Sequence, residues 1–148
     1  MGFSVSGSAA IIFAAMFIAF GMWYTAASNS FDRVTDAQAD RTEDVVQTRN
    51  TAISIAEATY NASADAVTID AENGGTSQIR LGQVDLLVDG RYQRDWQSGA
   101  TVADDGGTAL WLSGETLNVT LGGFVTQPSR VKVVTGTGVA ATAGVTAA

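Results

Sequence analysis

The chain has 148 residues, no cysteine, no histidine, a formal net charge of -7 and a sequence pI of about 4.2. Without cysteine there is no disulfide and no thiolate chemistry; without histidine the usual general base, the commonest zinc ligand and every Ser-His or Cys-His pair are gone. Eleven Asp and four Glu against seven Arg and one Lys repel nucleic acid and anionic headgroups, so neither is an expected partner.

Met1 to Phe31 carries no charged side chain. Within it, Ala9 to Ala27 is a run of apolar and small residues about one bilayer crossing long at ~1.5 Å per residue. Ile11, Ile12, Phe13, Met16, Phe17, Ile18 and Phe20 leave no polar stripe for a soluble core helix. Trp23 and Tyr24 stand at the C-terminal end, where an aromatic belt meets headgroups. These nine residues are the expected membrane anchor, in contact with lipid. Thr25-Ala26-Ala27 offers small residues for signal cleavage. However, Met1 to Ser8 has no Lys or Arg and the run is long for a signal core, so an uncleaved anchor is the better reading. Charge on the two flanks does not set the orientation.

From Asn29 to Asn50 the chain is polar and lacks Gly and Pro, with Phe31, Val34, Ala37, Val45 and Val46 at loose helical spacing. A helix continuing as a stalk is expected. Its coiled-coil seam is poor, because Gln38, Arg41 and Thr48 fall on the seam positions.

The period then changes to two. Ala52 to Glu57 and Ala66 to Glu72 alternate, and Asn73-Gly74-Gly75 closes the second as a turn. Further strands are expected at Gln78 to Leu81, Val84 to Val88, Arg91 to Trp96, Ala109 to Leu112, Thr116 to Leu121 and Arg130 to Thr135. Asp89-Gly90 is a hairpin signal. Ser98 to Thr108, rich in Gly and Asp, reads as a mobile loop, and Ala140 to Ala148 as either a frayed end or an edge segment. The fold class is mainly β: an N-terminal transmembrane helix (1–28), a helical stalk (29–50) and an immunoglobulin-like antiparallel β-sandwich (51–148).

Few motifs carry chemistry. Asn61-Ala62-Ser63 and Asn118-Val119-Thr120 are N-glycosylation sequons; two of them beyond an anchor tilt the domain towards the exterior. Val131 to Ala141 resembles a strand followed by GxGxxA, but too little chain follows for a dinucleotide fold, and a strand with a Gly turn is expected. Met1 to Ser6 fits an N-myristoylation pattern, which adds little beside a spanning helix. Asp104-Asp105 and Asp85 with Asp89 lack the spacing of a Ca²⁺ loop. Asp70, Glu72 and Glu115 show no glycosidase pairing. No cofactor or metal is expected, and the chain reads as a non-enzyme. The acidic surplus fits either a halophilic protein or an ordinary acidic domain.

Met1 to Phe13, Tyr24 to Phe31, Arg49-Asn50-Thr51-Ala52, Asp85 to Gly90, Leu110 to Leu117 and Arg130 to Gly136, taken in that order, resemble the archaellum (archaeal flagellum) protein F family, FlaF/ArlF, in its haloarchaeal form. The resemblance implies a single-pass anchor in the cytoplasmic membrane and a β-sandwich outside it. It implies a stator-like role in motility, holding the motor to the surface layer. The partners it implies are the surface-layer glycoprotein, archaellum protein G and a second copy of the chain. It implies no catalytic residue. The alternatives are an archaellin- or pilin-like filament subunit, against which the absence of Lys or Arg before Gly2 and Gly7 weighs, and a surface-tethered binding domain unrelated to motility.

Overall fold

A computed structural model describes residues 2–148, with side chains described from residue 7. The Met1 to Ser6 acylation pattern falls outside the described side chains. Helix α1 spans Gly2–Asn50, so the expected membrane helix and stalk are one element. The chain divides into two compact units, residues 1–43 and 44–148.

In the first unit the helix presents its apolar side chains on every side. Ile11, Ile12, Phe13, Met16, Phe17, Ile18, Phe20, Trp23 and Tyr24 are 60–76% exposed. By length and composition the helix is able to cross a membrane. The hydroxyls of Thr25, Ser30, Thr35 and Thr42 donate to the carbonyls four residues back at 2.8–3.0 Å. These polar groups are thereby satisfied within the helix.

The second unit is built on eleven strands: β1 (Ile53–Asn61), β2 (Ala66–Asn73), β3 (Ile79–Arg80), β4 (Asp85–Val88), β5 (Arg91–Tyr92), β6 (Ala100–Val102), β7 (Leu110–Trp111), β8 (Thr116–Gly122), β9 (Arg130–Val134), β10 (Ala140–Gly144) and β11 (Thr146–Ala147). One sheet has the order β11-β1-β2-β8-β6, a second β10-β9-β4-β5, and β3 pairs with β7. All pairs are antiparallel except β1 with β11. Val67, Ile69, Ala71, Leu117 and Val119 from the first sheet and Leu86, Val88, Val131 and Val133 from the second form one core with Trp96 and Trp111. The layered β architecture expected from the alternating runs is present.

Two local expectations are corrected, at Arg91 to Trp96 and at Ser98 to Thr108, and two further details are set by the tertiary structure. The alternation starting at Ile53 would carry Glu57 into the core; a bulge between Ile55 and Glu57 shifts the phase, so Ala58 and Tyr60 point inward and the carboxylate stays out. Arg91 to Trp96 is not one strand. Asp95 takes a left-handed conformation (φ 55°), β5 ends at Tyr92, and a 3₁₀ turn over Trp96–Gly99 buries Trp96. The Ser98 to Thr108 segment is not a structureless loop. It contains β6 and a tight turn in which Val102 and Asp105 exchange both backbone hydrogen bonds at 2.9 Å, with Ala103 and Asp104 at positive φ. Of the two readings of the tail, the edge segment holds: Ala140–Gly144 pairs with β9, and Thr146–Ala147 lies parallel to β1, each at the edge of its sheet.

Asp89-Gly90 forms the expected hairpin, both residues at positive φ (49° and 78°). The Asp89 carboxylate also accepts the N–H groups of Ser129 and Arg130 at 3.0 Å, pinning the start of β9. Gly136 and Gly138 lie in the loop from β9 to β10, closed by Thr135 and Val139 at 2.9 Å. A strand follows it, not the helix of a dinucleotide fold.

Tyr60 closes one end of the sandwich. Its hydroxyl donates to the Phe124 carbonyl at 2.8 Å and lies 3.5 Å from the Asp65 carboxylate. Burial, then the Asp65 charge, then the contact with that carboxylate, raise the hydroxyl above its ordinary value of 10.0. A phenol whose pKa is raised by folding adds stability that is complete below the unfolded value and lost as pH rises through the folded one. Thermal melts should therefore show Tyr60→Phe less stable than the native chain up to about pH 10, the ordinary phenol value, with the gap closing above it. A gap independent of pH between 8 and 11 contradicts this linkage.

Candidate functional site

The C-terminal turn of α1 ends in carbonyl groups with no helical partner. The sandwich supplies one partner set. The Asn50 carbonyl accepts the N–H of Thr76 at 2.8 Å and of Ser77 at 3.1 Å, and the Ala52 carbonyl accepts Gly75 N–H at 3.0 Å. Thr51 closes the last turn, its hydroxyl donating to the Gln47 carbonyl at 2.8 Å. The loop of residues 74–77 thus clips the helix end into the β-domain. A side chain at Gly75 would collide with the Asn50 carbonyl and stand 2.6 Å from the Ala52 nitrogen, so only glycine permits this approach.

Asn73 holds the clip in place. It is 0% exposed, and all of its polar groups are used. Its Nδ2 donates to the carbonyls of Ser77 and Trp111 at 2.9 and 3.1 Å, and its Oδ1 accepts Gly75 N–H at 3.1 Å. Its backbone N–H donates to Glu115 at 3.1 Å and its carbonyl accepts Gly114 N–H at 2.7 Å. Ser113 completes the knot by donating to the Gly75 carbonyl at 2.5 Å. One amide therefore joins the end of β2, the helix clip, β7 and the turn into β8. Beside it lies a polar cleft of about 270 Å³ bordered by Asp44, Gln47, Arg80, Gln83 and Thr137.

The two outer sheet faces differ in charge. The strands β1, β2, β6, β8 and β11 contain no Lys or Arg. Glu57 and Asp70 stand opposite each other there with Glu72 nearby, and Thr146, Thr59, Thr68 and Thr120 form one row across four strands. On the other sheet, Arg130 and Lys132 alternate with buried Val131 and Val133 and so face outward. Thr142, Lys132, Leu87 and Tyr92 lie in one row across the four strands. Leu87, Gly90, Arg130, Lys132 and Thr142 border a shallow groove of about 170 Å³. Tyr92 is 54% exposed, and Asp85 is the acidic side chain on this face. A cationic, partly apolar face on an acidic domain suits docking of an acidic surface.

The nine expected anchor residues lie on α1, exposed all round. The two sequons are apart: Asn61 ends β1 in the open, whereas Asn118 is mid-strand in β8. Asp70 is held by Asn118 Nδ2 at 2.5 Å and Glu115 by the Leu112 N–H at 2.8 Å, so Asp70, Glu72 and Glu115 do not converge on a cleft. Asp105 accepts Gly107 N–H at 2.7 Å. No group of three acidic side chains is placed to hold a metal among the described residues. The helix clip and the cationic face were missed in the sequence. Asn73-Gly74-Gly75 was legible only as a turn, and the one Lys in an outward strand position was the available signal for the face.

No protein-family model matches the chain, and no curated protein matches it. Among solved structures, the chain is similar to the archaellum periplasmic stator protein FlaG from Sulfolobus acidocaldarius, at 20% identity and a TM-score of 0.42 over 63% of this chain and 97% of that one. It is also similar to the archaellum periplasmic stator protein complex FlaF and FlaG from the same organism, at 19% identity and a TM-score of 0.41 over 62% of this chain and 85% of that one. A likeness of this grade assigns neither function nor partner.

Asn73→Ala leaves the Ser77 and Trp111 carbonyls without their buried Nδ2 donor, while the Gly75 N–H keeps only the Ala52 carbonyl. The expected cost is about 3 kcal/mol, roughly 15 °C in Tm for a domain of this size. Calorimetry of the full chain in detergent checks it, with Asn61→Ala, at the far end of β1, shifting Tm by less than a third as much. Equal shifts for the two variants would remove the special role of Asn73.

Proposed function

We propose that this chain is a membrane-anchored, non-catalytic tether of the archaellum, of the stator type that the protein F resemblance implies. Residues 1–28 span the cytoplasmic membrane with lipid around Ile11 to Tyr24, residues 29–50 form the stalk, and residues 51–148 form a β-domain outside the cell membrane. What supports the reading is the ordered resemblance along nearly the whole chain. The single structural observation that carries it is the joint at Asn50. A tether must pass load between a helix and a folded domain, and here the helix end is hydrogen-bonded into the sandwich, not left on a free linker.

The partner gripped by the domain is the surface-layer glycoprotein, met by the cationic sheet through an acidic surface. Archaellum protein G and a second copy of the chain are its neighbours within the machine. Electrostatic docking of this kind gives orientation and on-rate, and weakens as salt rises.

The full chain in detergent should retain surface-layer glycoprotein on a column, and Arg130→Glu with Lys132→Glu should weaken retention at least tenfold without changing the unfolding free energy by more than about 0.5 kcal/mol per site. Unchanged retention rules out this face. In cells, deletion should stop swimming while filaments still assemble; loss of the filaments themselves would instead make the chain a filament subunit.

A further inference from the structure

The chain carries two sequons, and the structure treats them differently. Asn118 lies in the centre of β8, paired with Asp70 of β2 on one side and Thr101 of β6 on the other. Its Nδ2, the atom that would be modified, donates to the Asp70 carboxylate at 2.5 Å, and the next residue, Val119, is 2% exposed. Presenting this sequon to a transferase would mean pulling a central strand out of its sheet.

Asn61 is the reverse case. It is the last residue of β1, exposed, and it opens a turn in which Ala62, Ser63, Ala64 and Asp65 are also exposed. Its Oδ1 accepts the N–H of Ser63 at 2.9 Å and of Ala64 at 3.2 Å. The side-chain oxygen is thus committed to the sequon's own serine. Nδ2 makes no hydrogen bond among the described residues and stands towards solvent with the Ser63 hydroxyl near it in sequence.

We propose that Asn61 is an N-glycan acceptor and that Asn118 is not. The Asn61 amide nitrogen attacks the anomeric carbon of a lipid-phosphate-linked oligosaccharide. A C–N bond forms, the sugar C–O bond to phosphate breaks, the lipid phosphate leaves with the electron pair, and the amide proton passes to a carboxylate of the transferase. The glycan projects from the end of β1 opposite the Asn50 joint. It is roughly 26 Å along the strand from Ile53 at ~3.3 Å per residue. The inference rests on the proposed exterior location of the β-domain, where such transfer takes place.

The test is glycopeptide mass spectrometry of the full chain purified from its own membranes. Cleavage after Arg49, Arg80, Arg94 and Arg130 puts the two sequons on separate peptides. Added hexose mass should appear on the Asn61 peptide at occupancy at least tenfold above that of the Asn118 peptide. It should vanish in Asn61→Gln and Ser63→Ala and persist in Asn118→Gln. A glycan on Asn118, or one retained in Asn61→Gln, overturns the proposal. Because the chain has no native cysteine, Val125→Cys, at a position 84% exposed, reports location through labelling of intact cells with an impermeant maleimide. Labelling from outside together with a bare Asn61 overturns the glycan inference alone. Labelling only after lysis overturns both it and the exterior location.

Discussion

The buried Asn73 amide is the constraint on which the β-domain's connection to its helix depends. A polar side chain with no exposure is tolerated only when every donor and acceptor is matched, and here the matching partners come from two separate stretches of chain, residues 75–77 and 111–115. Fixing Ser77 and Gly75 from inside the sandwich fixes the loop whose N–H groups donate to the Asn50 carbonyl. Helix termination, which in an isolated helix is left to water or a left-handed cap, is here performed by the domain the helix enters.

That arrangement sets how firmly the helix end is held to the β-domain. Backbone hydrogen bonds are individually modest, about 1 kcal/mol net, but those at the clip act together and are shielded at the buried end by Asn73. Gly75 is the steric condition for this, since any side chain there meets helix backbone. The opposite end of the sandwich is closed differently, by a tyrosine hydroxyl on the Phe124 carbonyl and by the pairing of β11 on β1. The two outer faces are then free to differ: one polar and anionic with a threonine row, one cationic around Lys132. A single domain thereby offers a fixed end, a cationic face and an open turn at Asn61.

The sequence disclosed much of this where one physical signal dominated. Nineteen charge-free residues declare a helix long and apolar enough to cross a membrane, and the period-two runs at Val67 to Ala71 and Val131 to Val133 declare sheet faces. It was silent where tertiary contacts decide. Asp95 and Ala103-Asp104 adopt positive φ without the Asn-Gly signature, so neither the end of β5 at Tyr92 nor the tight turn after β6 is marked in the sequence. The bulge at Ala56 is invisible locally, because its cause is that Glu57 must avoid a core built by distant strands. Asn73 reads as a turn former, and only the convergence of Ser77, Trp111 and Gly75 around it reveals a buried knot.

The central claim is that the chain carries load between the membrane and a layer outside it. The direct measurement is swimming of cells whose chain carries a site-specific protease sequence in the exposed helix between Asp32 and Glu43, with the protease added from outside. If the chain is the load-bearing tether, cells swim before cleavage and stop once the chain is cut, with filaments still attached. Swimming that continues after complete cleavage would contradict the account.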